Sequence, residues 1–253
     1  MITINTSDNK KVYFASDQHL GAPTAAASFP REKKFVAWLD SIKEDAEAVF
    51  LLGDLFDFWF EYKTVVPKGF VRVLGKLAEL KDAGIPIYFF VGNHDLWMND
   101  YFEKELNIPV YHAPQEFYIN NKKMLIGHGD GLGPEDKGYK RMKKVFTFPF
   151  FKWLFRWLHP DIGVKLGQYM SVKNKIISGD EDAKFLGEEN EWLVQYCKRK
   201  LTSKHYDYFV FGHRHLPLEI KLQENSTYIN LGDWIQYFTY GVFDENEIHL
   251  KKY

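Results

Sequence analysis

Five short clusters of polar residues contain the side-chain types that bind divalent cations. Carboxylates, imidazoles and an amide oxygen recur in them, and these donors suit a borderline or hard cation such as Mn²⁺, Fe²⁺ or Zn²⁺. The chain has a single cysteine, Cys197, which excludes a thiolate metal site. The clusters are Asp17-Gln18-His19, Gly53-Asp54, Gly92-Asn93-His94-Asp95, Gly127-His128-Gly129-Asp130 and Gly212-His213-Arg214-His215.

The spacing within the clusters favours convergence on one site. Asp17 and His19 alternate along the chain, so their side chains share one side where a strand continues, and the same holds for His213 and His215. Any one cluster is weak evidence, because a single buried histidine is commonly a hydrogen-bonded core residue. Five clusters would together bury many polar groups, which is costly unless those groups are paired or coordinate cations. The set therefore predicts a metal site.

Each cluster follows a short run rich in Val, Ile, Phe and Tyr, which is typical of a buried strand. In open α/β sheets, ligands bind at the carboxyl ends of strands, which is where these polar residues fall. Amphipathic helical patterns lie between the early strands, and this alternation predicts an α/β fold. The predicted strands are Val12–Ser16, Ala48–Leu52, Ile87–Val91, Lys123–Ile126, Tyr208–Phe211 and Tyr228–Leu231, and the predicted helices are Arg31–Lys43 and Phe70–Ala83.

Residues 135–195 interrupt this alternation, and we predict a helical insertion there. The run Phe146–Leu158 holds many of the aromatic residues, which make up 17% of the chain, and basic residues flank it. Such a run is compatible with an apolar chamber ringed by cations, or with an aromatic subdomain that packs against the sheet. The predicted metal-binding core consists of residues 1–134 and 196–253.

Composition restricts the class of protein. The net charge of −1 argues against a broad nucleic-acid surface, which usually carries a basic excess. A lone cysteine allows no disulfide within the chain, and Cys197 is predicted to be a small apolar residue on a helix. The first residues lack the apolar stretch of a signal peptide, and no stretch is long and apolar enough to span a bilayer. The expected location is the cytoplasm.

The order of the clusters, D-x-H, G-D, G-N-H-D, G-H and G-H-x-H from Asp17 to His215, resembles the calcineurin-like metallophosphoesterase superfamily. The resemblance implies an α/β/β/α sandwich with two divalent cations at the carboxyl ends of its strands. Mn²⁺ is the expected metal, with Fe²⁺ or Zn²⁺ as alternatives. It implies that one metal binds Asp17, His19, Asp54 and His215, and that the second binds Asp54, Asn93, His128 and His213.

The same resemblance implies a two-metal hydrolysis of a phosphate ester or anhydride. Two cations that share a water lower its pKa, so that hydroxide is present at neutral pH. Asn93 and His94 would stabilise charge on the phosphoryl oxygens. Protonated His94 would also donate to the leaving oxygen, while Asp95 would hold the ring and raise its pKa. The alternative for His94 is a purely structural hydrogen bond.

Further motifs resemble the UDP-2,3-diacylglucosamine hydrolase family of lipid A synthesis. They are the G-D-x-F-D-x-W pattern of Gly53–Trp59, and the pattern formed by His128, Asp136 and Tyr139. The resemblance implies release of UMP and 2,3-diacylglucosamine 1-phosphate and a helical lid over the acyl chains. The aromatic and basic run of the insertion is also compatible with peripheral contact with the inner membrane surface. The residues predicted to contact substrate are Asn93, His94, Asp136, Tyr139 and Lys140, with weaker matches at Lys173 and Lys175.

One residue departs from this pattern, and alternatives follow from it. Many proteobacterial members of the hydrolase family have Arg at the position of His94, whereas Gly-Asn-His-Asp is common in the wider superfamily. This difference has two interpretations. The chain belongs to a different branch of the hydrolase family with the same substrate, or it is a metallophosphoesterase that acts on another phosphodiester or nucleotide. A nuclease and a non-catalytic scaffold are rival hypotheses, which the charge and the complete ligand set disfavour respectively.

Overall fold

Two six-stranded sheets form the centre of the protein in a computed structural model that describes residues 2–133, 137–182 and 184–253. The side chains of residues 137 and 172–182 lie outside this description. The first sheet has the order β1 (Ile2–Ile4), β6 (Gln115–Ile119), β7 (Lys122–Ile126), β8 (Tyr208–Phe211), β10 (Ser226–Leu231) and β9 (Pro217–Gln223). The second sheet has the order β12 (Glu247–Lys252), β11 (Thr239–Asp244), β2 (Lys11–Ala15), β3 (Ala46–Leu52), β4 (Ile87–Phe90) and β5 (Val110–Tyr111).

The two sheets pack face to face over one apolar core. Phe14 and Phe50 from the second sheet meet Phe117 and Ile229 from the first sheet, and all four side chains are buried. Helices cover the two outer faces, so the architecture is the predicted α/β/β/α sandwich. Helices α1 (Ala25–Ser41), α2 (Val71–Asp82) and α3 (Tyr101–Leu106) cover the second sheet, and α7 (Trp192–Leu201) covers the first.

All six predicted strands are present, but one predicted helix begins earlier than expected. Helix α1 begins at Ala25, where the side chain of Thr24 accepts a hydrogen bond from the backbone N–H of Ala27. The helix then continues through Pro30, which a sequence pattern takes as a boundary because proline lacks a backbone donor. Burial of Cys197 on α7 confirms its prediction as a small apolar residue.

The predicted insertion contains three helices, α4 (Lys137–Thr147), α5 (Pro149–Arg156) and α6 (Pro160–Asp182). The limits of the insertion at residues 135 and 195 stay predictions, although Leu193 and Val194 of α7 already pack in the core of the first sheet. Within the part of the chain that the structure describes, no helix combines the length and apolar character that crossing a bilayer requires.

Helix α6 contacts the core along a stripe of small residues spaced four apart. Gly163, Gly167 and Ser171 are buried, while most of their neighbours on the helix are exposed. A Cβ atom on Gly167 would collide with the ring of Phe58, so only glycine permits this approach. The stripe therefore brings the backbone of α6 close to the loop after β3.

We expect opposite results from alanine at two helical glycines. Gly75 of α2 is exposed, and a Cβ there meets no atom within 4 Å, so Gly75→Ala should stabilise the fold by about 0.5–1 kcal/mol. Gly167→Ala should instead loosen α6 and speed amide hydrogen exchange over residues 160–171. Slower or unchanged exchange in that segment would show that the stripe does not fix the helix.

Candidate metal centre and active site

The five predicted clusters meet at one rim of the sandwich. Strands β2, β3 and β4 run parallel in the second sheet, and Asp17, Asp54 and Asn93 follow their carboxyl ends. Strands β7 and β8 run parallel in the first sheet, and His128 and His213 follow them. Because parallel neighbours end at the same edge, both sheets deliver polar side chains to a common position.

Several residues at this rim have positive backbone φ angles, which residues other than glycine rarely adopt. Positive φ values cost of order 1–3 kcal/mol each and persist where the surrounding structure holds them, commonly at functional sites. Five predicted ligands have such values, namely Asp17 (59°), His19 (43°), Asp54 (54°), His213 (70°) and His215 (53°).

Two glycines allow the carboxylates to approach the neighbouring strand ends. A Cβ on Gly92 would overlap the side chain of Asp54, and a Cβ on Gly212 would lie 2.5 Å from Asp17 Oδ2. The glycines that precede Asn93 and His213 therefore provide space for carboxylates from other strands.

The first predicted ligand set is assembled. One side-chain ligand atom from each of Asp17, His19, Asp54 and His215 lies within 4.8 Å of the others. Nε2 of His215 is 3.2 Å from Asp17 Oδ1, and Nε2 of His19 is 3.6 Å from Asp54 Oδ2. This geometry brings two carboxylates and two imidazoles to the position of a single cation.

The second predicted set shares Asp54 with the first. Nε2 of His128 lies 3.4 Å from Asp54 Oδ2 and 3.2 Å from Asn93 Oδ1. Nδ1 of His128 lies 2.7 Å from the carbonyl oxygen of Leu52, which can only accept, so Nδ1 donates and Nε2 presents a lone pair to a metal. The ring of His213 lies 5.1 Å from that of His128.

The polar atoms of these residues are better satisfied by cations than by hydrogen bonds to one another. Asp17 Oδ1 is buried and has no hydrogen-bond donor among the described residues. Nε2 of His19 and Nε2 of His215 face each other at 3.1 Å, where two lone pairs would repel and at most one proton can sit between them. A buried donor set of this kind is stabilised by coordination.

The electrostatics of the centre also favour cations. Burial alone would raise the pKa of Asp17, but the adjacent rings of His215 and His19 hold that pKa well below its usual range. Burial opposes charge on His128, yet Asp54 and Asp17 outweigh it and raise the pKa of His128 to about 10. Protons on the imidazoles therefore compete with metal for the same carboxylates.

The ring of His94 is held by a residue other than the predicted one. Nδ1 of His94 lies 3.0 Å from the carbonyl oxygen of Asp57 and 2.8 Å from Oγ of Ser171. The hydroxyl of Ser171 donates to Asp57 Oδ2 at 2.7 Å, so helix α6 reaches the centre through this group. Asp57 Oδ1 also lies 3.4 Å from Nδ1 of His19, which links His94 to a metal ligand.

The expectation that Asp95 holds His94 is therefore wrong. Both oxygens of Asp95 accept backbone N–H groups instead, from Gly92 at 2.7 Å and from Leu55 at 3.0 Å. Burial and the nearby Asp54 raise the pKa of Asp95 to about 7. Asp95 thus fixes the loops that follow β3 and β4, and it acts on the site through the backbone.

The predicted contacts in the insertion remain predictions. The hydroxyl of Tyr139 donates to Asp130 at 2.5 Å, and Nζ of Lys140 donates to the carbonyl oxygen of Gly133 at 2.5 Å. Asp136 lies outside the described residues, as do the side chains of Lys173 and Lys175.

Sequence reasoning missed two further contacts near the centre. Asp233 Oδ2 lies 3.7 Å from Nδ1 of His215, and the guanidinium of Arg31 donates to the carbonyl oxygen of His19 at 2.6 Å. The Gly232-Asp233 step after a strand was a usable signal for the first. Arg31 lies in a helix with no motif, so the sequence offered no signal for it.

Comparisons with known proteins agree with this centre. The family model described as Calcineurin-like phosphoesterase matches residues 10–217. A protein named UDP-2,3-diacylglucosamine hydrolase from Porphyromonas gingivalis (strain ATCC BAA-308 / W83) is 38% identical, over 95% of this chain and 97% of its own length. One with the same name from Histophilus somni (strain 129Pt) is 26% identical, over 89% of this chain and 92% of its own.

Among solved structures, a predicted phosphoesterase from Streptococcus pneumoniae TIGR4 matches 95% of this chain and 87% of its own, with 14% identity and a TM-score of 0.40. The family match covers most of the chain, and the first relative is aligned over nearly its whole length. The chain therefore belongs to the calcineurin-like phosphoesterase family of metal-dependent hydrolases and, within it, to the family of the UDP-2,3-diacylglucosamine hydrolases.

Proposed function

We propose that the chain hydrolyses the pyrophosphate of UDP-2,3-diacylglucosamine to UMP and 2,3-diacylglucosamine 1-phosphate. The observation that carries the proposal is the convergence of Asp17, His19, Asp54 and His215 at the position of one cation. It occurs in a chain that is similar over 95% of its length to a protein named for this reaction. The insertion supports an acylated substrate, because its helices expose apolar side chains such as Phe150, Trp153 and Leu166.

We propose that two divalent cations, expected to be Mn²⁺, bind at the shared carboxylate of Asp54. Bound there, they would supply Lewis acidity and a water of lowered pKa. Asp17, His19 and His215 would complete one site, while Asn93, His128 and His213 would complete the other. Of the seven ligands, four are imidazoles and three offer oxygen, which suits Mn²⁺ as well as Fe²⁺ or Zn²⁺.

In this mechanism His94 serves the leaving phosphate. Nδ1 of His94 donates to the carbonyl oxygen of Asp57 and to Ser171, so Nε2 is the nitrogen that would give a proton to the leaving oxygen. Asp57 orients the ring and favours its protonated form, since its carboxylate lies 3.6 Å from Nδ1. Tyr139, Lys140 and Asp136 remain our candidates for substrate contact from the insertion.

Helix α5 supports a further proposal, which is contact with the surface of an anionic membrane. None of its residues is buried, and Trp153 is 52% exposed. Trp157, directly after the helix, is 75% exposed. Lys152 and Arg156 lie on the same helix. Exposed rings beside cations are typical of helices that rest in the interface of a bilayer.

Loss of the shared carboxylate should empty both metal sites. We expect Asp54→Asn to lower bound metal from two equivalents per chain to below one and to abolish hydrolysis, measured by elemental analysis and UMP release. Asp8→Asn, an exposed carboxylate near the amino terminus, is the matched control and should change neither. Two equivalents retained in Asp54→Asn would contradict the shared site.

Substitutions of Asp57 and Asp95 should have different effects, because only Asp57 contacts the ring of His94. His94→Ala should retain metal and lose on the order of 10²–10⁴-fold in rate. Asp57→Asn should lower kcat and move the pH profile by weakening protonated His94. Asp95→Asn should instead lower thermal stability, because the amide nitrogen cannot accept and leaves one of the two backbone N–H groups without an acceptor. If Asp95→Asn moves the pH profile and Asp57→Asn does not, the assignment is reversed.

Membrane contact can be tested on α5. Trp153→Glu together with Trp157→Glu should reduce co-sedimentation with vesicles of phosphatidylglycerol, because charged groups replace the exposed rings. Val71→Glu is the control, since Val71 is 74% exposed but lies on α2. Equal binding by wild-type chain and the double variant would remove α5 as the contact.

A further inference from the structure

A cavity of about 380 Å³ lies beside the metal centre on its His128 side. Helix α4 forms one wall, the segment after β5 forms another, and His128 and Gly129 also line it. A volume of this order is within the range of small-ligand sites. The cavity is therefore large enough for one part of the substrate, and it adjoins the position of the second metal.

The α4 wall of the cavity is cationic. Lys140, Lys143 and Lys144 line it, against the one carboxylate of Asp130 among the described lining residues. Lys143 pairs with Asp130 at 2.5 Å, which leaves Lys140 and Lys144 as the excess of positive charge. Burial and the charges of Lys152 and Lys143 lower the pKa of His112, which also lines the cavity. This wall suits phosphate oxygens.

The opposite wall offers flat apolar surface. Tyr111, Ala113 and Pro114 line it together with Phe90, whose ring lies 5.1 Å from that of Tyr111. Phe90 is buried and fixed in the core between the sheets. A planar ring can pack on such a wall while its polar edges face the lysines.

A different helix covers the other side of the centre. Ser171 of α6 contacts Asp57 and His94, and Gly167 of the same helix approaches Phe58. Among the described residues, neither α5 nor α6 contributes to the cavity on the His128 side. The two sides of the metal centre therefore differ in chemistry. Lysines line the His128 side, whereas on the His94 side α6 contributes the hydroxyl of Ser171 and a glycine that packs against Phe58.

We propose that this cavity binds the uridine monophosphate half of the substrate, with the pyrimidine ring against Tyr111 and Pro114 and the phosphate between Lys144 and the metals. The inference rests on the proposed function, and it assigns the two halves of that substrate to opposite sides of the centre. Acyl chains would be unfavourable among the lysines, which would lose hydration without gaining partners.

Binding of UMP to the Mn²⁺-loaded full-length chain tests the inference, measured by titration calorimetry beside inorganic phosphate. Wild-type chain should bind UMP more tightly than phosphate. Ala113→Trp, which fills the cavity, should reduce UMP affinity to that of phosphate while phosphate affinity and metal content are retained. Lys144→Ala should weaken UMP on the order of tenfold. Arg141→Ala removes a charge from the same helix outside the cavity lining and should have no effect.

The outcomes separate this inference from the proposed function. UMP affinity that is no tighter than phosphate, or that is unchanged by Ala113→Trp and Lys144→Ala, overturns the cavity assignment even if UDP-2,3-diacylglucosamine is hydrolysed. If UMP binds as expected but UDP-2,3-diacylglucosamine is not hydrolysed, the cavity remains a uridine nucleotide site and the proposed reaction is rejected.

Discussion

The structure depends on placing one buried carboxylate where two sheets end. Asp54 follows β3 of the second sheet, is 1% exposed and lies within 3.4 Å of His128 from the first sheet. A buried carboxylate without cations around it is unfavourable. The left-handed backbone at Asp54, the close approach of Gly92 and the hydrogen bond from the backbone N–H of His94 all serve to hold this group in place. The strained backbone and the buried charge lower the stability of the metal-free fold, and cation binding would restore that stability.

The convergence of the proposed metal ligands could be predicted from sequence because each of their clusters follows a strand, and all clusters except Asp17-Gln18-His19 begin with a glycine. The positions of neighbouring strands then follow from the α/β pattern. Asp95 was assigned wrongly because adjacency in sequence was taken for contact. Asp57 lies 37 residues before His94 but reaches it, since β3 and β4 are neighbouring parallel strands whose loops meet. Contacts between loops depend on their paths, which local patterns do not specify.

The insertion was predicted as helical, yet its contacts could not be. The contact of Ser171 with Asp57 exists only because Gly163 and Gly167 allow α6 to approach the core. A glycine in a helix pattern normally indicates weakness and not a contact surface. The sequence also did not predict which aromatic residues of α5 are exposed. Phe155 packs against Phe60 and Trp97, whereas Phe150 and Trp153 are exposed.

Helices of the insertion approach the centre from two sides, and each is tied to it by polar contacts. Helix α6 contacts Asp57 and His94 through Ser171, while α4 contacts Asp130 through Tyr139 and Lys143. A substrate with an apolar half and an anionic half must place each half in a matching environment while its pyrophosphate stays at the metals. If the proposed function holds, the lysines of α4 would attract the anionic half of the substrate to the His128 side of the centre.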